Sequence, residues 1–312
     1  MERDSKIYVA GHTGLIGRSL LQKLREAGYA NIIVKTRSEL DLRDQRAVRD
    51  FFNIERPEYV FLAAGKVGSI QANRTHQADF LLENTEIQVN VLSAAHNVGV
   101  KRLIFFGSSC MYPKTCAQPM REEELLRGLP EETSLGYAIA KISGMKLVEY
   151  LHEQYGTDFV TVIPNTAYGP GDNFSLNEGH VLSVFLRRFE EAVRNNTSTV
   201  ELWGTGLPQR EFVYADDIAD ACMFIMNQPN LPWRTMNIAS SSEVSIRELA
   251  ELVAHTVGFS GTITWDASKP DGALRKLLSG ERLQSLGWEA KIGLLDGLAR
   301  TYSWYKENLK NQ

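Results

Sequence analysis

Strands and helical patterns alternate along the first half of the chain, and a glycine-rich turn joins the first strand to the first helix. Small residues close the later strands. Together these predict an α/β protein built on a doubly wound parallel sheet. The first strand is the apolar run Lys6 to Ala10, and it leads into Gly11-His12-Thr13-Gly14-Leu15-Ile16-Gly17. A helical pattern follows from Ser19 to Ala27, closed by Gly28, and Asn31 to Thr36 reads as a second strand. Glycines spaced G-x-x-G-x-x-G between a strand and a helix give a tight turn and let the backbone approach a pyrophosphate at the helix N-terminus. Gly11, Gly14 and Gly17, with Leu15 and Ile16 between them, are therefore candidates for cofactor binding.

The second strand ends in Lys35-Thr36-Arg37. An acidic residue there would bond a ribose 2′-hydroxyl and repel a 2′-phosphate, whereas Arg37 favours NADP(H) unless it is a solvated surface residue. Ser38 to Asp44 opens a helix reaching about Phe52, and its acidic groups, Asp41 beside Leu42, border the expected adenine site. Tyr59 to Ala64 is a third strand, whose small end residues Ala63 and Ala64 leave room for a bound cofactor. Val67 to His76 reads as a loop, a long helix follows to about Asn97, and Lys101 to Phe106 is a buried strand. That strand ends in Gly107-Ser108-Ser109-Cys110-Met111-Tyr112-Pro113, so hydroxyls and a thiol stand at a carboxyl edge, where such sheets bind ligands.

Tyr137 and Lys141 lie four apart on the next helix, one turn from each other on one face. The pair is open to two readings: a solvated lysine beside a core tyrosine, or an ammonium that lowers a phenol pKa from about 10 and so prepares it for proton transfer. Beyond it, Phe159 to Ile163 is a strand, and Asn177 opens a helix to about Asn195 that contains His180 and Arg188. Arg210 starts a strand after the Gly204-Thr205-Gly206 turn, as a diphosphate ligand or a surface arginine. Helices are expected from Ile218 to Met226 and from Ser245 to Val257, with a basic loop from Lys269 to Lys276.

The 312 residues are 43% hydrophobic and 23% charged, with a formal net charge of −4, which points to no nucleic-acid or membrane surface. Three cysteines, Cys110, Cys116 and Cys222, are too few and too irregular for a disulfide framework or a metal site. The N-terminus runs straight into a strand without a signal peptide, so a cytoplasmic protein with reduced thiols is expected.

The GxxGxxG turn, the serine-bearing strand end and the YxxxK helix, in this order, resemble the extended short-chain dehydrogenase/reductase family. The resemblance implies a Rossmann domain over residues 1–165, with the chain crossing back at about 211–240, and a smaller C-terminal α/β substrate domain over 166–312. It implies that Ser108 or its neighbour Ser109 orients a carbonyl, that Tyr137 transfers a proton, and that Lys141 supports Tyr137 and holds the nicotinamide ribose. A homodimer is expected by the same analogy.

A closer resemblance is to the GDP-L-fucose synthase subfamily. It is carried by Ser108-Ser109-Cys110-Met111-Tyr112-Pro113-Lys114, Tyr168-Gly169-Pro170-Gly171-Asp172-Asn173-Phe174, His180-Val181, Trp203 to Gly206, Arg210-Glu211-Phe212 and Lys269 to Gly272. It implies a nucleotide-sugar substrate with a 4-keto group, epimerised at C3 and C5 and then reduced at C4. Cys110 would be the base and His180 the acid, with His180 also beside the cofactor; both types titrate near neutrality. Read without the family, Cys110 is a small buried hydrophobe and His180 a polar residue at a helix start. The implied substrate contacts are Ser109, Asn165, Arg188, Trp203, Gly204, Arg210, Lys269 and Asp271. The chain departs from the subfamily at Thr13, where an arginine is usual, at Ser134-Leu135-Gly136, and at Pro164 to Pro170. A sibling enzyme for another NDP-4-keto-6-deoxy sugar or a GDP-heptose is the alternative, ahead of an NAD-retaining 4-epimerase or a non-catalytic NADPH sensor.

Overall fold

A computed structural model describes residues 1–269 and 271–309; Pro270, within the Lys269 to Gly272 run, lies outside the described residues. The chain opens with β1 (Ile7–Ala10), α1 (Leu15–Glu26), β2 (Ile32–Ile33), α2 (Gln45–Glu55) and β3 (Tyr59–Leu62). It continues with α3 (Ile70–Thr75), α4 (Gln77–Asn97), β4 (Arg102–Phe106), α5 (Leu135–Tyr155) and β5 (Phe159–Pro164). Next come β6 (Thr166–Tyr168), α6 (Val181–Arg194), β7 (Thr199–Trp203), β8 (Gln209–Tyr214), α7 (Ala215–Asn227) and β9 (Thr235–Ile238). The last elements are β10 (Glu243–Ser245), α8 (Ile246–Val257), β11 (Thr262–Asp266), β12 (Arg275–Lys276), α9 (Glu281–Ser285) and α10 (Leu294–Leu309).

Six strands form a parallel sheet in the order β2-β1-β3-β4-β5-β9. Its central strands are buried on both faces because successive side chains alternate between two cores. Ile7 and Val9 of β1 join Leu20 and Leu24 of α1 and Ile218 and Ile225 of α7. Tyr8 and Ala10 point the other way, to Phe52 of α2, Val91 of α4 and Val148 of α5. The chain therefore returns to this sheet through α7 and β9 after building part of a third core. That third core unites Phe185 and Phe189 of α6, Leu249 and Val253 of α8, Phe212 of β8 and Leu298 of α10.

Several elements differ from the sequence expectation for local reasons. The edge strand β2 is short, because the Glu39 carboxylate accepts from the Thr36 amide and hydroxyl and turns the chain away from the sheet. Helix α2 begins only at Gln45, where Asp44 caps it through the Ala47 amide. The expected loop at 67–76 contains α3, started by the Ser69 hydroxyl accepting from Ala72. Helix α6 starts at Val181, because Gly179 closes a turn onto the Ser175 carbonyl and leaves His180 at the cap position. Ser245 caps α8 in a reciprocal capping box with Glu248. No described helix is long and apolar enough to cross a membrane.

Candidate active site

The glycine turn folds against the end of β3. Gly11 sits at φ +86°, a left-handed conformation natural to glycine. A Cβ on Gly11 would meet the Ala64 amide nitrogen at 2.6 Å, and one on Gly17 would meet the Gly11 carbonyl oxygen at 2.0 Å. Ala63 and Ala64 are thus the surface on which the turn lies. Gly14 occupies the cap position of α1 with no side chain bonded to the helix amides. The amides at the start of α1, beside Leu15 and Ile16, remain available to an anion, and the helix dipole favours one there. The buried His12 Nδ1 has no hydrogen-bond partner among the described residues. This cradle fits a dinucleotide diphosphate.

At the end of β2, Arg37 is exposed and only loosely held, with Nε 3.8 Å from Asp41 and Nη2 3.7 Å from Glu83. Asp41 is committed to Arg43: hydrogen bonds from that guanidinium hold its carboxyl down at about 2. Leu42 does not offer its side chain to a ligand; it is buried in the core under α2, and its carbonyl accepts from Asn90.

The chemistry-bearing residues gather where β4 ends and α5 passes. Lys141 is buried, donates to the Phe106 carbonyl at 2.9 Å, and lies 4.9 Å from the Phe105 ring centroid and 5.9 Å from that of Tyr137. Burial draws its ammonium down to about 8. The expected lowering of the Tyr137 phenol is not what the fold produces. Burial pushes the phenol above its ordinary value, the neighbouring Cys110 adds to this, and the Ser108 hydroxyl only partly opposes it. The ammonium spends its hydrogen bond on the main chain, so its charge does not offset the loss of water around the phenol.

Ser108 starts the 3-10 turn that follows β4; its Oγ accepts from the Cys110 amide at 3.2 Å and engages the Tyr137 phenol. That separates the two candidate serines. Ser108 belongs to the Tyr137 cluster, while Ser109 is buried and borders a small cleft with Cys110, Glu131 and Lys276.

Lys276 Nζ stands 3.8 Å from Cys110 Sγ. Burial raises the thiol, but the Lys276 charge and the hydroxyls of Ser108 and Ser134 outweigh it, and the net direction is downward. The sequence put the Ser134 to Gly136 departure close to the sugar or nicotinamide but gave Ser134 no role, and it left Lys276 in the basic loop outside the site. The signals were the basic run that Lys276 closes and the departure from the subfamily pattern at Ser134.

His180 is exposed at the start of α6, beside Asp172. Burial raises the Asp172 carboxyl, His180 pulls it down, and Ser183 donates to it. Among the described residues no hydrogen bond joins His180 to the Cys110–Tyr137 cluster.

Trp203, Gly204, Lys269 and Asp271 form one corner. The Lys269 ammonium lies 5.7 Å from the ring centroid of Trp203, which is 64% exposed. Gly204 has φ +82°, and a Cβ there would lie 2.3 Å from an Asp271 oxygen that accepts from the Thr205 amide at 2.9 Å. Arg210, partly buried in β8, feels the Asp271 charge, although burial dominates and lowers its pKa. Arg188 is occupied at 3.1 Å on the Glu201 carbonyl of β7. Asn165 is buried, and its amide is spent on Glu211, the Lys276 carbonyl and the Thr166 amide, so it anchors β12 and presents no free group to a ligand.

Residues 7–239 match the NAD dependent epimerase/dehydratase family. The chain is 49% identical over 311 residues to GDP-L-fucose synthase 1 of Arabidopsis thaliana, covering 100% of this chain and 96% of the relative. It is 46% identical over 311 residues to GDP-L-fucose synthase of Escherichia coli K12, covering 97% of each. A solved structure, MlghC, a GDP-mannoheptose C4 reductase from Campylobacter jejuni with NADP bound, superposes with a TM-score of 0.90 at 38% identity, over 98% of this chain and 99% of that one. The glycine cradle, the serine-started turn and the Tyr137–Lys141 helix thus stand in a chain that belongs to the NAD dependent epimerase/dehydratase family and, within it, is similar along its whole length to the GDP-L-fucose synthases.

Proposed function

We propose that this chain is an NADPH-dependent epimerase/reductase that converts GDP-4-keto-6-deoxy-D-mannose to GDP-L-fucose. The observation that carries this reading is Cys110 flanked by Lys276 in the same cluster as Ser108 and Tyr137. A reductase alone needs one proton donor at the carbonyl oxygen; a lowered thiol beside it supplies a base for a second kind of step.

Gly11, Gly14, Gly17 and the start of α1 would hold the cofactor diphosphate, Arg37 the 2′-phosphate, and Lys141 the ribose beside Tyr137. When bound, NADPH supplies the hydride that reduces C4. The chain's own residues do the rest. The substrate's 4-keto group acidifies the hydrogens at C3 and C5. Cys110, held toward the thiolate by Lys276, removes each proton in turn. Enolate charge builds on the C4 oxygen, which Ser108 and Tyr137 face as hydrogen-bond donors. His180, with Asp172 beside it, returns a proton to the opposite face at each carbon. Tyr137 then donates its proton to the C4 oxygen during reduction. Its raised pKa keeps the phenol protonated at neutral pH, which suits a proton donor. Arg210, Lys269 and Trp203 are assigned to the nucleotide diphosphate end. The reading includes a cytoplasmic homodimer, by analogy with the family.

The test is incubation with GDP-4-keto-6-deoxy-D-mannose and NADPH in heavy water, with the product resolved by NMR. Deuterium at both C3 and C5 of a C4-reduced product is expected, with both labels lost in Cys110→Ser while NADPH binding persists. Reduction without exchange at either carbon would overturn this reading in favour of a C4 reductase, the kind of enzyme that the similar Campylobacter jejuni protein is named for.

A further inference from the structure

Glu211 lies at the centre of β8, fully buried, next to the residue that pairs with Lys276. Among the described residues its carboxylate meets five donors and no cation. One oxygen accepts from the Ser240 amide at 2.8 Å, the Ser240 hydroxyl at 3.3 Å and the Ser241 amide at 2.8 Å. The other accepts from Asn165 Nδ2 at 2.5 Å and the Leu278 amide at 3.0 Å. Three chain segments therefore converge on one side chain: the end of β5, the turn after β9, and the strand that carries Lys276. Ser241, a non-glycine residue, is held at φ +58°, and its amide is one of the five donors. Backbone in that region persists only where the surroundings over-determine it.

The strand carrying Lys276 has little freedom left. The Lys276 carbonyl accepts from Asn165 at 3.2 Å, the Leu277 amide donates to Gln118 at 2.9 Å, and the Ser279 carbonyl accepts from Asn237 at 3.1 Å. The Met120 and Ser279 amides close a further pair of main-chain bonds at 2.8 and 2.9 Å. Fixing the Lys276 backbone limits where its ammonium can reach, and Glu211 with Asn165 is one of the groups that hold it.

We propose that Glu211 is a positioning residue of the epimerisation chemistry, gathering Asn165, Leu278 and the Ser240–Ser241 turn so that Lys276 stands beside Cys110. The role requires a carboxylate. Both oxygens face two or more donors, so a glutamine places its NH2 against donors in either orientation. The groups facing Cys110 are Lys276 from β12, Ser108 from its own turn, Ser134 from the start of α5, and Tyr137 from α5. Of these, Glu211 reaches Lys276 alone. The inference rests on the proposed function for what Cys110 does, but not for what sets its ionisation, and the experiment separates the two.

The test is the pH profile of Cys110 alkylation by iodoacetamide, followed by peptide mapping without substrate, on the wild type, Glu211→Gln, Lys276→Met and the double variant. In folded Glu211→Gln the half-maximal pH is expected to rise by about one unit, roughly a tenfold loss of alkylation rate near neutrality. Because Glu211 acts through Lys276, the double variant should match Lys276→Met alone. A merely structural loss would not move this profile. An unchanged profile in Glu211→Gln, or additive shifts in the double variant, would overturn the proposal. If Glu211→Gln does not fold, Asn165→Ala, which releases the Lys276 carbonyl and one of the five donors, carries the same test with the same two outcomes. Should the profiles shift as expected while heavy-water exchange at C3 and C5 stays unchanged, the positioning role stands and the assignment of Cys110 as base falls.

Discussion

Replacing Lys276 by methionine removes one positive charge beside Cys110 and keeps most of the stem's volume. At the observed Nζ–Sγ separation of 3.8 Å, Coulomb attraction between ammonium and thiolate is about 4 kcal/mol at an effective dielectric of 20 and about 1 kcal/mol in bulk water. Both residues are half-buried, so the true value lies between these limits. That corresponds to between about a fivefold and a thousandfold change in the thiol–thiolate equilibrium, with burial pushing the thiol further up once the charge is gone. The thiolate fraction near neutral pH should fall about tenfold or more, and with it deuterium exchange at C3 and C5. The assay is the pH dependence of Cys110 alkylation, with Cys116 as an internal reference. Cys116 is half-exposed in the same loop, and its thiol is raised by burial and by Glu124, without Lys276. Lys276→Arg, which keeps the charge, should recover most of the rate. If Lys276→Met leaves the Cys110 profile where it was, the ion-pair reasoning is wrong and the flanking hydroxyls control the thiol.

Other expectations follow from the same geometry. Gly17→Ala places a methyl 2.0 Å from the Gly11 carbonyl, so the turn must open; NADPH affinity should drop more than tenfold by calorimetric titration, and intact affinity would contradict the cradle. Arg37→Ala should lower the preference for NADP over NAD, read from the ratio of kcat/KM values; an unchanged ratio would hand the 2′-phosphate to another group. Tyr137→Phe should slow exchange at C3 and C5 less than it slows NADPH oxidation, which should fall by two or more orders of magnitude, because Ser108 still faces the enolate oxygen while the donor for the reduction step is gone; equal losses in both would contradict the assignment of the reduction proton to Tyr137. For Lys141 the sign runs as a depressed lysine. Its folded value of about 8 lies below the ordinary 10.5, so below pH 8 the folded state carries the whole burial penalty, and stability rises between 8 and 10.5. Lys141→Met should therefore gain most in melting temperature at pH 7, on the order of 3 kcal/mol less the lost bond to Phe106, and the gain should fade toward pH 10. A pH-independent difference would refute the buried-cation argument.

Features set by short spacing were legible in the amino-acid order. Glycines three apart between a strand and a helix read as a tight, side-chain-free turn, and the structure shows why: a Cβ added at either outer glycine would lie within van der Waals distance of backbone atoms. Tyr137 and Lys141 four apart share a helix face by geometry alone. The alternation of apolar strands with helices was enough for the doubly wound sheet, because each strand must bury both faces. Where the expectation slipped, a single side chain redirected the chain locally, as Glu39 does after β2 and Ser69 does before α3.

Tertiary structure decided what spacing does not encode. Lys276 reaches Cys110 across 166 positions of sequence, and nothing in the basic loop marks it as different from Lys269. Glu211, between Arg210 and Phe212 in β8, shows no role of its own until three distant segments close around its carboxylate. The Tyr137 phenol shows the same limit on one residue. Sequence placed a cation one turn away, but whether that charge or the loss of water prevails depends on how deeply the helix packs and where the ammonium spends its hydrogen bond. Local spacing determined the candidates and the fold; long-range packing determined their electrostatics, because desolvation is a property of the whole surrounding structure and not of neighbours along the chain.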